Sequence, residues 1–319
     1  MHDASPDRST LSRGYTFALL SAAFLSTTAI FIRHLTLDYN MPPLVLAFWR
    51  AGFVLLTVLP VMALLRRHLL RVSRHHLAYL ILYGLLLSLF NATWTLSVAL
   101  NGAAVATVLA YSSAAFTAIL GRWLLHERLG WGKIVAVMLC MGGCVLVAEA
   151  YDAAAWQSNP LGILTGVLSG LGYAIYSLMG RSAAQRGLNP WTTLLYTFGC
   201  AALFLLLFNL LSGGALPGSA ARPQDLLWLQ DAYAGWGALF LLAAGPTVAG
   251  FGLYNVSLSY LPSSSVNLIV TLEPAFTTAL AYALFGERLT AVQILGSLLI
   301  ISGVAFLRIY EDRLTNQRK

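Results

Sequence analysis

Glu273 and Arg50 are ionisable side chains set well inside long apolar runs of this sequence. Ten residues past Ser263, Glu273 would lie about 15 Å along a helix, near the middle of a bilayer. An acid at that depth costs roughly 2.5–3.5 kcal/mol on insertion scales, so it must face protein or a water-filled cavity. Pro274, next to it, removes a backbone donor and leaves the Val270 carbonyl without its usual helical partner. Two readings follow: the wall of a substrate path, or a structural acid bonded to neighbouring hydroxyls. In the first reading the carboxyl can also take up a proton on one side of the membrane and release it on the other. Arg50 stands about a third of the way along its own run. It either pairs with a substrate carboxylate or with Glu273, or it snorkels outward and bonds helix-end carbonyls.

Around these two lie Asn91, Trp94, Tyr111, Tyr173, Tyr176, Asn255, Asn267 and Thr271, at mid-run heights. The spacing of Asn267, Thr271, Pro274 and Thr278 puts them on one face of a regular helix. A largely apolar pocket with a few placed polar groups suits a small organic molecule. Each aromatic taken singly also reads as packing. Other chemistries lack their residues. There is no Gly-rich phosphate loop, no HExxH and no paired carboxylates in a loop, so neither an enzyme nor a cofactor is expected. Cys140, Cys144 and Cys200 lie in apolar runs and read as small packing residues, not as a disulfide or metal site. His68, His75 and His76 belong to the connection LRRHLLRVSRHH, which reads as a segment resting on anionic headgroups.

The elements that must position these side chains are membrane helices. The chain is 58% hydrophobic and 10% charged, against roughly 25% charged in soluble domains. Ten segments reach the roughly 20 residues that cross a bilayer: 14–35, 43–65, 77–100, 102–125, 131–149, 160–183, 190–212, 233–258, 263–285 and 290–309. They are separated by turn chemistry such as Met41-Pro42-Pro43, Asn101-Gly102, Asn159-Pro160 and Leu261-Pro262. Arg8, Arg13, Arg66, Arg67, Arg71, Arg74, Arg128, Lys133, Arg181, Arg186 and the C-terminal Arg308, Arg313, Arg318 and Lys319 fall on one side of such a bundle. The positive-inside rule makes that side, and both termini, cytoplasmic. This distribution accounts for the net charge of +7 without a nucleic-acid partner. The polar start followed by a full-length apolar run is not expected to be a cleaved signal peptide. Trp49, Trp123, Trp131, Trp156 and Trp228 fit an interfacial belt.

The sequence also repeats. Moved back by 160 residues, Val256–Phe306 lands without a gap on Leu96–Leu146. Ala275-Phe276-Thr277 then meets Ala115-Phe116-Thr117, Glu287-Arg288-Leu289 meets Glu127-Arg128-Leu129, and Gly303 meets Gly143. Further upstream, at an offset of 148, Gly162 meets Gly14 and Pro190 meets Pro42. Each copy holds five helices, and an odd number turns the second copy upside down, with the substrate path at the interface. This pattern resembles the EamA-type carriers of the drug/metabolite transporter superfamily, whose two units each end in a helix, an E-R-L-like turn and a Gly-rich helix. The family commonly has the Glu-Pro pair seen at Glu273-Pro274. It often carries a proline where this chain has Ala114, which weakens the case for a matching kink in the first copy.

The expectation is an all-α membrane protein of ten transmembrane helices in two inverted five-helix repeats. Residues 1–13 and 310–319 form cytoplasmic tails, and 14–149 and 160–309 are the two repeats. The function expected is a secondary transporter of small metabolites, amino acids or drug-like molecules, in the cell (inner or plasma) membrane, working by alternating access. Export is the direction the resemblance implies. A channel without ion coupling is the alternative, and a membrane enzyme or receptor a further one. The partners expected are a small-molecule substrate, the lipid bilayer and protons, with the chain a monomer or homodimer. Glu127, Arg128, Glu287 and Arg288 are expected to neutralise each other and satisfy helix ends, or to form a gating ion pair. Gly162, Gly166 and Gly170 let a neighbouring backbone approach, within the chain or at a dimer seam.

Overall fold

A computed structural model describes residues 8–152, 160–285 and 290–316. Apart from the connections, chiefly the 213–232 loop, they are helical, as a bilayer requires of segments that must satisfy every backbone group internally. Eight helices are long and apolar enough to cross a membrane: Ser9–Leu37 (span 1), Pro43–Leu65 (span 2), Arg74–Val98 (span 3), Val105–Leu124 (span 4), Pro160–Gln185 (span 6), Pro190–Ser212 (span 7), Tyr233–Tyr260 (span 8) and Ala291–Arg313 (span 10). The shorter Trp131–Val147 (span 5) and the pair Ser263–Val270 and Glu273–Phe285 (span 9) complete ten passes. Spans 2, 6 and 7 open on a proline, where the missing N–H has no helical partner to lose. Span 7 also takes a cap, the Asn189 side chain accepting from the Trp191 N–H at 2.9 Å. It ends on Gly213 in the left-handed region at φ 54°. The start of span 1 and the end of span 10 lie at one end of the bundle, where the Tyr15 hydroxyl donates to Glu311 at 2.8 Å. We call that end the termini face and the other the far face.

Four spans are interrupted, each at a hydroxyl or proline. Span 1 bends at Thr27, where Thr27 and Thr28 bond back to the carbonyls of Phe24 and Leu25. Span 8 carries a π turn at Ala243–Thr247 around Pro246, with Thr247 Oγ1 satisfying the Leu242 carbonyl at 2.8 Å. Span 9 breaks at Thr271–Leu272. Pro274 thus falls in the first turn of a new helix instead of kinking a continuous one. The regular phase expected for Asn267, Thr271, Pro274 and Thr278 is therefore not continuous. Span 4 breaks at Ser112, the repeat mate of Leu272, although Ala114 stands where Pro274 does. The cause is shared hydroxyl chemistry: Ser112 Oγ donates to Leu109 O, and Thr271 Oγ1 to Leu268 O, both three residues back.

The spans Arg74–Val98 and Val105–Leu124 lie on either side of Asn101-Gly102. Ser97 bonds the Gly162 carbonyl at 2.9 Å, while Leu109 and Ser112 face Gly166 and Gly170 further along span 6. The chain therefore reverses between Ser97 and Leu109, and both spans lie on the glycine face of span 6. A Cβ at Gly166 or Gly170 would collide with them, so this glycine series packs within the chain.

Spans 5 and 10 reveal the internal symmetry. Cys140 Sγ contacts the carbonyl of Ile300, its own repeat mate, at 3.7 Å. A Cβ on Gly143 would meet Gly296 O, and one on Gly303 would meet Ala136 O, the corresponding pair with the roles exchanged. Such reciprocal contacts define a two-fold relation. The register rises on span 5 as it falls on span 10, so the helices are antiparallel and the axis runs perpendicular to them, within the membrane plane. The two five-helix repeats are inverted. At the far face a satellite core, including Leu35, Met41, Val45, Leu229 and Leu239, ties spans 1, 2 and 8 to the 213–232 loop. Trp49 donates to Leu226 O there at 2.6 Å and packs edge-on against Trp236. Trp123 and Trp131 are exposed at the ends of spans 4 and 5, and Trp156 lies outside the described residues.

Candidate substrate site

Arg50 turns inward. Its Nη2 donates to Asn91 Oδ1 at 2.8 Å, and Asn91 Nδ2 donates to the Leu87 carbonyl at 2.8 Å, which fixes the amide with its acceptor towards the guanidinium. The outward snorkelling considered from sequence is thereby set aside. The Arg50 Nε is buried and without a hydrogen-bond partner among the described residues. Glu273 opens the second helix of span 9, where the unsatisfied N–H groups of a first turn favour an acid. Its carboxyl neighbours the Tyr111 hydroxyl and lies in the field of Arg50. Arg50 nevertheless donates to Asn91 rather than to the carboxylate, and both charged residues keep partial exposure. Two opposite charges from the two repeats thus share one mid-bundle site without being spent on each other.

An aromatic wall flanks the pair. Tyr173 stacks on Phe90 with centroids 5.2 Å apart and faces Tyr254 at 6.1 Å. Tyr176 lies deeper, fully buried, against Tyr83 at 4.8 Å. Below the charges a chain of hydrogen bonds joins spans 4, 9, 6 and 8. Ser113 Oγ donates to Asn267 Oδ1 at 3.1 Å, Asn267 Nδ2 donates to Ser177 Oγ at 2.9 Å, and Ser177 shares a hydrogen bond with the Tyr254 hydroxyl. All four residues are buried. Tyr83 donates to Tyr176 O and Tyr79 to Met179 O, which closes span 3 on span 6 in the same layer.

A second layer seals the termini face itself. Glu127, in the connection after span 4, accepts from the backbone N–H and hydroxyl of both Ser263 and Ser264 at 2.5–3.2 Å. It therefore caps the start of span 9. Arg181 is in its field and donates to Leu258 O at 2.7 Å. Lys133, 5% exposed, donates to Ser264 Oγ at 2.8 Å and pairs with Glu311 at 3.8 Å. Glu311 also accepts from Ser265 and Tyr15. Glu127 thus satisfies a helix end across the repeat interface. Glu287 and Arg288 lie outside the described residues.

The structure brings together Arg50, Asn91, Tyr111, Tyr173 and Glu273. Trp94 stays half-buried one turn beyond Asn91. Asn267 and Tyr176 belong to the sealing layer, as does Asn255, whose amide is 4% exposed and unpartnered. Thr271 turns away, its hydroxyl beside Cys140 of span 5. Sequence reasoning missed Ser113, Ser177, Tyr254 and the Lys133–Glu311 pair. The repeat offset of 160 places Ser113 opposite Glu273 and so offered a signal for the first; the others carry none in isolation.

An inverted pair of five-helix repeats, with charged groups held at their mid-membrane interface, is the architecture of a secondary transporter. The EamA-like transporter family model matches this sequence twice, over residues 12–148 and 160–309, and the chain belongs to that family. An uncharacterized transporter of Archaeoglobus fulgidus is 26% identical over 91% of this chain and 94% of its own length. Proteins named probable amino-acid metabolite efflux pump, from Salmonella typhimurium and Escherichia coli, are each 26% identical over 83% of this chain and 85% of their own. A solved crystal structure superposes with a TM-score of 0.77 over 95% of this chain and 99% of its own, at 18% identity, which shows the shared fold. The protein is a multi-pass membrane transporter of small metabolites.

Proposed function

We propose that this transporter is a secondary carrier that exports a small amphipathic metabolite bearing a carboxylate, of the amino-acid class, by alternating access. The observation that carries the reading is the guanidinium of Arg50, anchored on one side by Asn91 while its buried Nε keeps a free donor. A planar fork with an unused donor suits a carboxylate. Glu273 offers the counter-charge for an ammonium group, and Tyr173 and Tyr111 offer apolar walls with polar tips. The printed names of the Salmonella and Escherichia relatives agree in class and direction. Orientation follows the positive-inside rule: the termini face is cytoplasmic, in the plasma membrane. The buried layers from Ser113–Tyr254 to Glu127–Ser264 then close the cytoplasmic side, and opening inward requires spans 4 and 9 to part there.

A thermal-shift screen of amino acids, nucleobases, polyamines and cationic dyes tests the substrate class, since a ligand of the folded state raises apparent stability. Amino acids should raise the melting temperature of the wild type and not of Arg50→Gln. Stabilisation by polyamines or cationic dyes alone would overturn the assignment of Arg50 to a carboxylate. Counterflow in proteoliposomes tests the carrier. Flux that does not saturate with substrate would make the protein a channel.

A further inference from the structure

Away from the repeat interface, a groove of about 260 Å³ runs down the outer side of the bundle between spans 2, 7 and 8. Val58, Val61, Met62 and Leu65 form one wall, with Trp191 and Val248 opposite, and Thr57 closes its inner end. Its mouth is at the termini face and is formed by Arg66 and Leu69. The groove spans the nine residues from Thr57 to Leu65, about 12 Å of helix, so it follows the acyl region of one leaflet inward from the headgroup level.

The mouth is strongly basic. The connection from Arg66 to His76 holds Arg66, Arg67, Arg71 and Arg74 and no acid. It is also held in place. Thr192 Oγ1 donates to Leu69 O at 2.8 Å and Tyr196 to Leu70 O at 2.7 Å, which pins the short turn Arg67–Leu70 onto span 7 beside Trp191. Arg67 Nε folds back onto Ala63 O at 2.7 Å. Arg66 is left exposed at the groove mouth, its guanidinium without a partner among the described residues. An apolar channel of acyl character that ends in a fixed, unpaired arginine at headgroup height has the two chemistries of one molecule.

We propose that this groove is a specific site for one anionic phospholipid of the leaflet at the termini face, with an acyl chain along Val58–Leu65 and its phosphate on Arg66. The site differs from diffuse attraction of a basic loop to a charged surface, in which every arginine contributes alike, at about fivefold in partitioning each. In the site, Arg66 carries the selectivity and Arg74, at the start of span 3, does not.

Native mass spectrometry of the full chain in detergent, titrated with phosphatidylglycerol or phosphatidylcholine of the same acyl chains, measures this. One phosphatidylglycerol per chain should be retained in preference to phosphatidylcholine. Arg66→Gln should lower that preference about fivefold or more while Arg74→Gln leaves it unchanged. Val61→Trp, which fills the groove and keeps every arginine, should lower retention of phosphatidylglycerol to that of phosphatidylcholine, and serves if Arg66→Gln fails to fold. Equal retention of the two lipids by the wild type, equal losses in the Arg66 and Arg74 variants, or full retention in Val61→Trp would each overturn the site.

Discussion

On the proposed reading Arg50 and Glu273 bind the substrate, and each has a substitution that separates its roles. Arg50→Lys keeps the charge but loses the planar fork, and with it either the bond to Asn91 or the free Nε donor. A hydrogen bond to a charged group is worth about 1.5–3 kcal/mol, so transport at limiting substrate should fall roughly ten- to a hundredfold. Quantitative blotting beside the flux assay checks that abundance does not fall equally, as it would if the arginine served only the fold. Glu273→Gln keeps the shape and removes the titration. We propose that this carboxyl couples transport to protons, since Arg50 donates to Asn91 and not to Glu273. In proteoliposomes the Gln variant should retain counterflow and lose uptake driven by a pH gradient. Gradient-driven transport that survives in it would move the coupling elsewhere.

At the scale of elements, the crossing of spans 5 and 10 and the cap on span 9 carry the next two expectations. A Cβ on Gly143 would come 2.6 Å from Gly296 O, a backbone atom that cannot turn aside, whereas Gly142 has open space. Gly143→Val should therefore lower the melting temperature strongly, and Gly142→Val should change it little, by thermal unfolding in one detergent. Lipid tails are as apolar as leucine, so helix contacts of this kind rest on close packing, and a lost fit has no solvent term to offset it. Glu127 holds the first turn of span 9 by four hydrogen bonds. Glu127→Ala leaves those donors unmatched and should bias the carrier towards opening at the termini face. A cysteine at Ser177 would then react several-fold faster with an impermeant maleimide applied from that face. Unchanged labelling would show that the cap stabilises a helix end without controlling access.

For the whole molecule the decisive property is orientation. Cysteines placed in the 66–76 connection should label only from the cytoplasm, and those in the 213–232 loop only from outside. Labelling of both from one side would contradict the inverted arrangement that the span 5–span 10 contacts define. Two copies of one fold that enter the membrane in opposite senses make the two faces near-equivalents. On the proposed alternating-access reading, the sealed termini face belongs to one of two related states, and the break shared by spans 4 and 9 is where each copy bends.

Much of this was legible in the sequence. Apolar runs of bilayer length, the prolines that open spans 2, 6 and 7, and the gapless offset of 160 residues fixed the ten passes and their pairing, because those signals are local or periodic along the chain. Tertiary structure decided what no local pattern encodes. It turned Arg50 inward, because Asn91 from another span supplies its acceptor. It laid spans 3 and 4 side by side on the glycine face of span 6, where Ser97 and Leu109 both meet Gly166. It broke span 4 without a proline, through a serine hydroxyl that competes for its own backbone, and it turned Thr271 towards Cys140. Each of these outcomes depends on a partner far away in the chain or on a choice between two nearly equal hydrogen bonds, and composition and spacing leave both open.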